Sequence, residues 1–209
     1  MVKKYEFTGQ VNAQGLKRIR ALIDLPRRNI KAGDEGGWIE KEENLSQEGD
    51  CWVGVEARVF DNARVIAGAI IGGKASVAEY ALVTGTANIY GAAALLGRAH
   101  VGNDAYVGGD AVVRYNAAVI GSASVYGNAR ICDHARIFDY AEIKGMSIIS
   151  GYSNIGGNIS LLNKTVNING TFCSIKELEN ALANDHAINQ EILESDSKLA
   201  EELLKMKYG

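Results

Sequence analysis

The stretch "SVYGNARICDHARIFDYAEIKG", residues 124–145, returns an aliphatic residue at every sixth position: Val125, Ile131, Ile137 and Ile143. An alanine follows four places after each of the first three, at Ala129, Ala135 and Ala141, while the residues between vary freely. A period of six does not match the 3.6 residues of a helical turn, and glycine recurs throughout. A strand of about four residues followed by a two-residue corner does match. Positions six and two of each hexad then point inward and positions one and three outward. Positions four and five turn the corner, where Gly, Asn or Asp supplies the unusual φ. Only a small side chain fits at the inner side of each corner, hence the alanine.

Outward from this stretch the same phase holds from Trp52 to Thr171, a run of 20 hexads. The second position is Val, Ile or Leu in every hexad except the last, which carries Asn167. The sixth is Ala from Ala57 to Ala141, then Ser147, Ser153, Ile159, Thr165 and Thr171. Composition agrees with a solenoid of short strands: 24 glycines, a single proline (Pro26) and 7% aromatics. The repeat reads as an all-β solenoid.

A formal charge of −3 argues against a general nucleic-acid binder, because phosphate binding wants a basic excess. Cys51, Cys132 and Cys173 form no CxxC pair and cannot all pair within one chain, which favours reduced thiols in the cytoplasm. "MVKKYEFTGQ" has no apolar segment after its charges, so no secretory signal is expected. No run approaches the ~20 apolar residues needed to span a bilayer. A soluble cytoplasmic protein without membrane partners is expected.

The hexads resemble those of the hexapeptide-repeat superfamily, whose fold is a left-handed parallel β-helix with three hexads per triangular coil. Left-handedness is what the resemblance implies, since chirality rules alone favour a right-handed crossover. The sequence departs from the family in placing glycine two places after the aliphatic residue, as in "VYGNA", rather than one. The flanks "LKRIRALIDLPRRNIKAGDEGGWIEKEENLSQEGDCWV" and "GTFCSIKELENAL" resemble those of poorly characterised bacterial and phage hexapeptide-repeat proteins. The resemblance implies a homotrimer. It also implies acyl transfer from a CoA or acyl-carrier donor as the commonest activity.

Three segments follow. Residues 1–37 break the period, and "KKYEF" with "GLKRIRALID" read as two strands able to pair as a hairpin, an N-terminal β cap. Residues 38–171 form the β-helix, with Trp38-Ile39 and Asn44-Leu45 in hexad phase and Asp50-Cys51 as a two-residue excess. Residues 172–209 read as a C-terminal α-helical cap, opened by a capping box at Ser174 and Glu177 and continued by Ile175, Leu178, Ala181 and Leu182.

Stacking residues 18 apart locates the candidate site. The corner after the second face aligns Tyr80, Arg98, Asn116, His134 and Tyr152, with His100 and Arg136 just beyond it on the third face. Arg114 and Arg130 project from the second face. Four arginines and two of the three histidines around one edge suit an anion, such as a nucleotide-like small molecule or an acidic partner surface. Outward apolar residues, Ile66, Leu82, Ala118, Ile120 and Phe138 on the third face and Phe60, Ala94, Leu96 and Val112 on the second, point to subunit packing.

The leading functional expectation is a non-catalytic oligomeric binder of such an anion, without cofactor, including sequestration of a nucleotide in the manner of a phage protein. The alternative is an acetyl-CoA-dependent acyltransferase with His134, then His100, as general base. The uninterrupted hexads count against it, because such enzymes generally use an inserted loop to shape the acceptor pocket. A structural or assembly protein is the third reading. A zinc site needs three converging histidines, and with His186 in the C-terminal segment no metal is expected.

Overall fold

The computed structural model describes residues 2–168. Each hexad contributes a short strand on its first two positions, as in Asn88–Ile89, Ala94–Leu95 and His100–Val101. Successive strands fall on three different sheets, which makes a parallel β-solenoid of about seven turns. Asn88 pairs with Ile70 and Tyr106, Ala94 with Ser76 and Val112, and His100 with Leu82 and Ala118. Each rung therefore takes 18 residues, and side chains 18 apart lie directly above one another.

The alternation in the sequence is the alternation of burial. Second-position residues such as Ile71, Ile89, Val107 and Val125, and sixth-position alanines such as Ala75, Ala93 and Ala111, are fully buried. Each buried aliphatic side chain is worth ~1.5–3 kcal/mol before conformational entropy opposes it. Corners close with an i→i+3 bond, for example the Ala81 amide donating to the Ala78 carbonyl at 3.2 Å. Every fourth-position residue from Asp61 to Asn163 has φ between +54° and +82°, which explains the Gly, Asn and Asp found there.

The N-terminal segment extends one of these sheets. Strand β1 (Tyr5–Val11) pairs antiparallel with β2 (Lys17–Ala21), and β2 pairs antiparallel with β3 (Glu35–Ile39). β3 then runs parallel to Arg58–Val59, so the second-face sheet has ten strands against seven and six for the other two. Tyr5, Ile19, Ile39 and Leu45 continue the apolar core beyond the first rung. The Tyr5 hydroxyl donates to the Leu45 carbonyl at 2.7 Å, and buried Lys4 donates from Nζ to the Cys51 carbonyl at 2.9 Å. Trp38 and Leu45 face Arg58 and Val65, twenty residues on, whereas Trp52 faces Ile70, eighteen on. The two extra residues are taken up in the bend containing Gly49, whose positive φ (+67°) brings it against Ala67.

The last described rung departs from the six-residue phase. Ile148 pairs with Thr165 and Ile149 with Val166, only seventeen residues on. Val166, 1% exposed, thus takes the inward place that continuous hexads assign to Asn167. Burial of the aliphatic Val166 side chain favours that register. The helical elements among the described residues are 3-10 turns at Pro26–Arg28 and Glu42–Asn44. The C-terminal helix expected around Ser174 and Glu177 lies outside the described residues.

Candidate functional site

The corner after the second face carries Tyr80, Arg98, Asn116, His134 and Tyr152, all exposed and one above another. They touch in two groups. The Arg98 guanidinium carbon lies 5.9 Å from the centroid of the Tyr80 ring. Two and three rungs on, the His134 and Tyr152 rings stack with centroids 4.7 Å apart and an interplanar angle of 13°. Asn116 Nδ2 stands 3.4 Å from His134 Nε2.

The arginines divide differently from the sequence count. Arg114 is tied to its neighbours: Nε donates to Cys132 Sγ at 3.3 Å and the guanidinium covers the Tyr115 ring at 4.9 Å. Arg136 stands on the third face between Ala118 and Asn154. Arg130 lies between Val112 and Ile148 at the start of the second-face strand, so the strand separates it from the His134 corner. Among the described residues, none of Arg98, Arg114, Arg130 and Arg136 forms an ion pair.

His100 is the unusual member. It opens the third-face strand between Leu82 and Ala118, half-buried, with its imidazole lying along Gly102. A methyl group at Gly102 would come within 3.0 Å of His100 Nε2 and 3.2 Å of Thr84 Cγ2, so the missing side chain makes room for the ring. Nε2 is buried and, among the described residues, has no hydrogen-bond partner. Burial, and then the positive charge of Arg136, hold the imidazole below the ordinary histidine range. At neutral pH this ring is uncharged.

Reading position five alone missed the carboxylates at position four of the same corner. Asp61 accepts the Glu79 amide at 3.1 Å, Glu79 accepts the Gly97 amide at 2.9 Å, and Asp133 accepts the Gly151 amide at 3.0 Å. Each satisfies a backbone donor on the next rung and places a negative charge beside the cationic column. The eighteen-residue spacing of Asp61 and Glu79 was the available signal. Among the described residues no group of three metal-ligating side chains converges, and no helix is long and apolar enough to cross a membrane.

No family model matches the chain. An Escherichia coli (strain K12) protein described as an uncharacterized acetyltransferase, YdcK, is 38% identical over 63 residues. The match takes in 30% of this chain and only 17% of that protein's length. Eighteen-residue rungs of three hexads, taken with this similarity, fit the hexapeptide-repeat superfamily.

Proposed function

We propose that the chain is an acyltransferase of the hexapeptide-repeat type, using an acyl-CoA donor and His100 as general base. The observation that carries this reading is the half-buried, neutral His100 imidazole on an outward face, with the charge of Arg136 acting on it and, among the described residues, no hydrogen-bond partner for Nε2. An unpartnered neutral imidazole can take the proton from an amine or hydroxyl as it attacks a thioester carbonyl. The attack forms the new C–N or C–O bond, and collapse of the tetrahedral species expels the thiolate, which takes up a proton. Arg98 and Arg136 supply charge for the donor's phosphates. His134, held between Asn116 and Tyr152, offers a flat surface for a ring rather than a base.

The protein acts as a trimer in this proposal. Half-buried outward residues such as Leu82, Ile120 and Phe138 pack against a neighbouring chain. Because the hexads carry no inserted loop, that neighbour completes the acceptor pocket. The acetyltransferase named among the similar proteins supports the direction.

A second reading, a non-catalytic binder of a nucleotide-like anion, is favoured by the His134–Tyr152 stack one rung from Asn116 and two from Arg98. One experiment separates the two. Acetyl-CoA is added to the purified protein with a panel of amine and hydroxyl acceptors, and thiol release and thermal stability are recorded. Turnover that His100→Ala abolishes, with the acetyl-CoA thermal shift retained, supports the transferase. A thermal shift lost in Arg98→Ala/Arg136→Ala supports the donor site. A cell-derived anion retained in native mass spectrometry, with no thiol release from any acceptor, supports the binder.

A further inference from the structure

We propose a second ligand site, at the N-terminal end of the solenoid, that binds a small molecule carrying a phosphate or carboxylate on a flat apolar group. Antiparallel β2 and parallel Arg58–Val59 flank β3, so Arg18, Trp38 and Arg58 form one cross-strand row on the outer surface. The Arg18 guanidinium covers the Trp38 ring at 5.1 Å, and Arg58 Nη1 donates to Gln14 Oε1 at 3.1 Å. The Nε–H groups of both arginines are nevertheless buried without an acceptor among the described residues. The Glu35 carboxylate stands 3.0 Å from Arg18 Nε but off the line of its N–H, so it neutralises charge without accepting that proton.

These groups line a cleft of about 500 Å³ completed by Lys74, Glu56 and Val55, where the first corner meets the hairpin. Lys74 is exposed and among the described residues has no ion pair, so three cations, Arg18, Arg58 and Lys74, stand against two carboxylates, Glu56 in the cleft and Glu35 beside Arg18. Buried N–H groups lacking acceptors are costly unless something supplies them. An oxyanion in the cleft supplies a counter-charge to Arg58 and Lys74.

The flat group follows from a second cleft, of about 560 Å³, which shares Arg18 and Val55 with the first. Trp52, Ile70 and Tyr90 line it around Gly54. Gly54 leaves the floor bare: a methyl there would meet only the Ile71 carbonyl at 3.4 Å and Gly72 Cα at 3.6 Å. Both clefts fall within the ordinary range for small-molecule sites.

Each of the protein's two tryptophans lines one of the clefts, so intrinsic fluorescence of the full chain reads the site directly. Titration with phenyl phosphate, benzoate and inorganic phosphate separates the phosphate and carboxylate sources and isolates the ring's contribution. Saturable binding of phenyl phosphate or benzoate, tighter than inorganic phosphate, is expected. Lys74→Gln, an exposed change, should weaken it about tenfold through loss of one charged hydrogen bond. Gly54→Leu should erase the advantage of the ring yet leave inorganic phosphate binding unchanged, and Arg98→Ala, which affects the separate His100 edge, should leave the tryptophan titration curve where it was. No saturation with any probe at millimolar concentration, or wild-type affinity in Lys74→Gln, overturns the proposal. So does loss of the signal in Arg98→Ala, which would place the ligand at the His100 edge.

Discussion

Gly109→Ala tests whether the corner geometry, rather than hydrophobic periodicity alone, sets this fold. Gly109 has φ +67°, a left-handed conformation that costs an L-residue ~1–2 kcal/mol. Its new methyl would stand 2.7 Å from the Gly127 carbonyl oxygen and 2.8 Å from the Gly127 amide nitrogen, backbone atoms of the next rung that cannot rotate away. Overpacking of that kind costs a further ~1–3 kcal/mol. Against both stands ~0.4–1 kcal/mol gained by restricting the unfolded chain. The net expectation is a loss of about 1–4.5 kcal/mol. Gly54→Ala is the control, because Gly54 is outside the left-handed region and its methyl has room, so it should be neutral or slightly stabilising. Urea denaturation followed by circular dichroism, with equal slopes in the two variants, gives the comparison. Equal midpoints for the two alanine variants would refute the argument, since the left-handed corner would then carry no energetic weight.

Three further outcomes are expected. Ile89→Ala, which removes a fully buried side chain from the middle of the solenoid, should cost about 2–5 kcal/mol in the same denaturation assay. Hydrogen bonds from Lys144, Ser160 and Tyr126 bring the Glu142 carboxyl down to about 2, so its stabilising effect is complete above its unfolded value and lost as pH falls towards 2. Glu142→Gln should therefore flatten the acid limb of a melting-temperature profile, and salt should shrink the difference because the side chain is 33% exposed. Because His100 titrates below the ordinary 6.5, the unfolded imidazole protonates first on acidification, and wild-type stability falls as pH drops through that value. His100→Gln should remove that component, and in the transferase proposal the acid limb of kcat/KM should have its midpoint below 6.5.

The repeat was legible because every hexad position meets the same surroundings on every rung, so each physical demand is written many times over. Inward aliphatics, corner alanines and left-handed fourth positions all follow from counting. The two-residue excess before Trp52 was also visible, since Trp38-Ile39 and Asn44-Leu45 keep the phase on its far side. What counting misses are features that depend on one rung only. His100 is sheltered because position 102 is a glycine, a contact within one strand that no periodic argument singles out. The Arg18–Trp38–Arg58 row exists because β3 joins the sheet at a spacing of twenty residues, two out of step with the rungs, and no eighteen-residue stack contains it. Val166 is buried out of hexad phase because the last rung is one residue short, with Ile149 facing Val166. Arg130 shares a face with the site yet sits at the wrong end of its strand, a distinction of two outward positions that a face-level count ignores.

The acidic fourth positions decide how the candidate edge balances its charge. The first corner stacks glycines at 73, 91, 109, 127 and 145, which carry no side chain and leave the edge bare. The second corner instead holds Asp61, Glu79, Tyr115 and Asp133 in the left-handed region, each at a conformational cost of ~1–2 kcal/mol, somewhat less for the aspartates. The carboxylates offset part of that by accepting the next rung's amide, worth ~0.5–1.5 kcal/mol. Asp133→Asn separates structure from charge, because Asn tolerates the same backbone and keeps an oxygen for the Gly151 amide. Stability should change by less than about 0.5 kcal/mol, while one negative charge disappears beside His134 and Arg114. An acyl-CoA or nucleotide-like anion at this edge must then bind more tightly, with the gain shrinking as salt is added. Weaker binding in Asp133→Asn, at unchanged melting temperature, would mean that the anion does not sit on the cationic column.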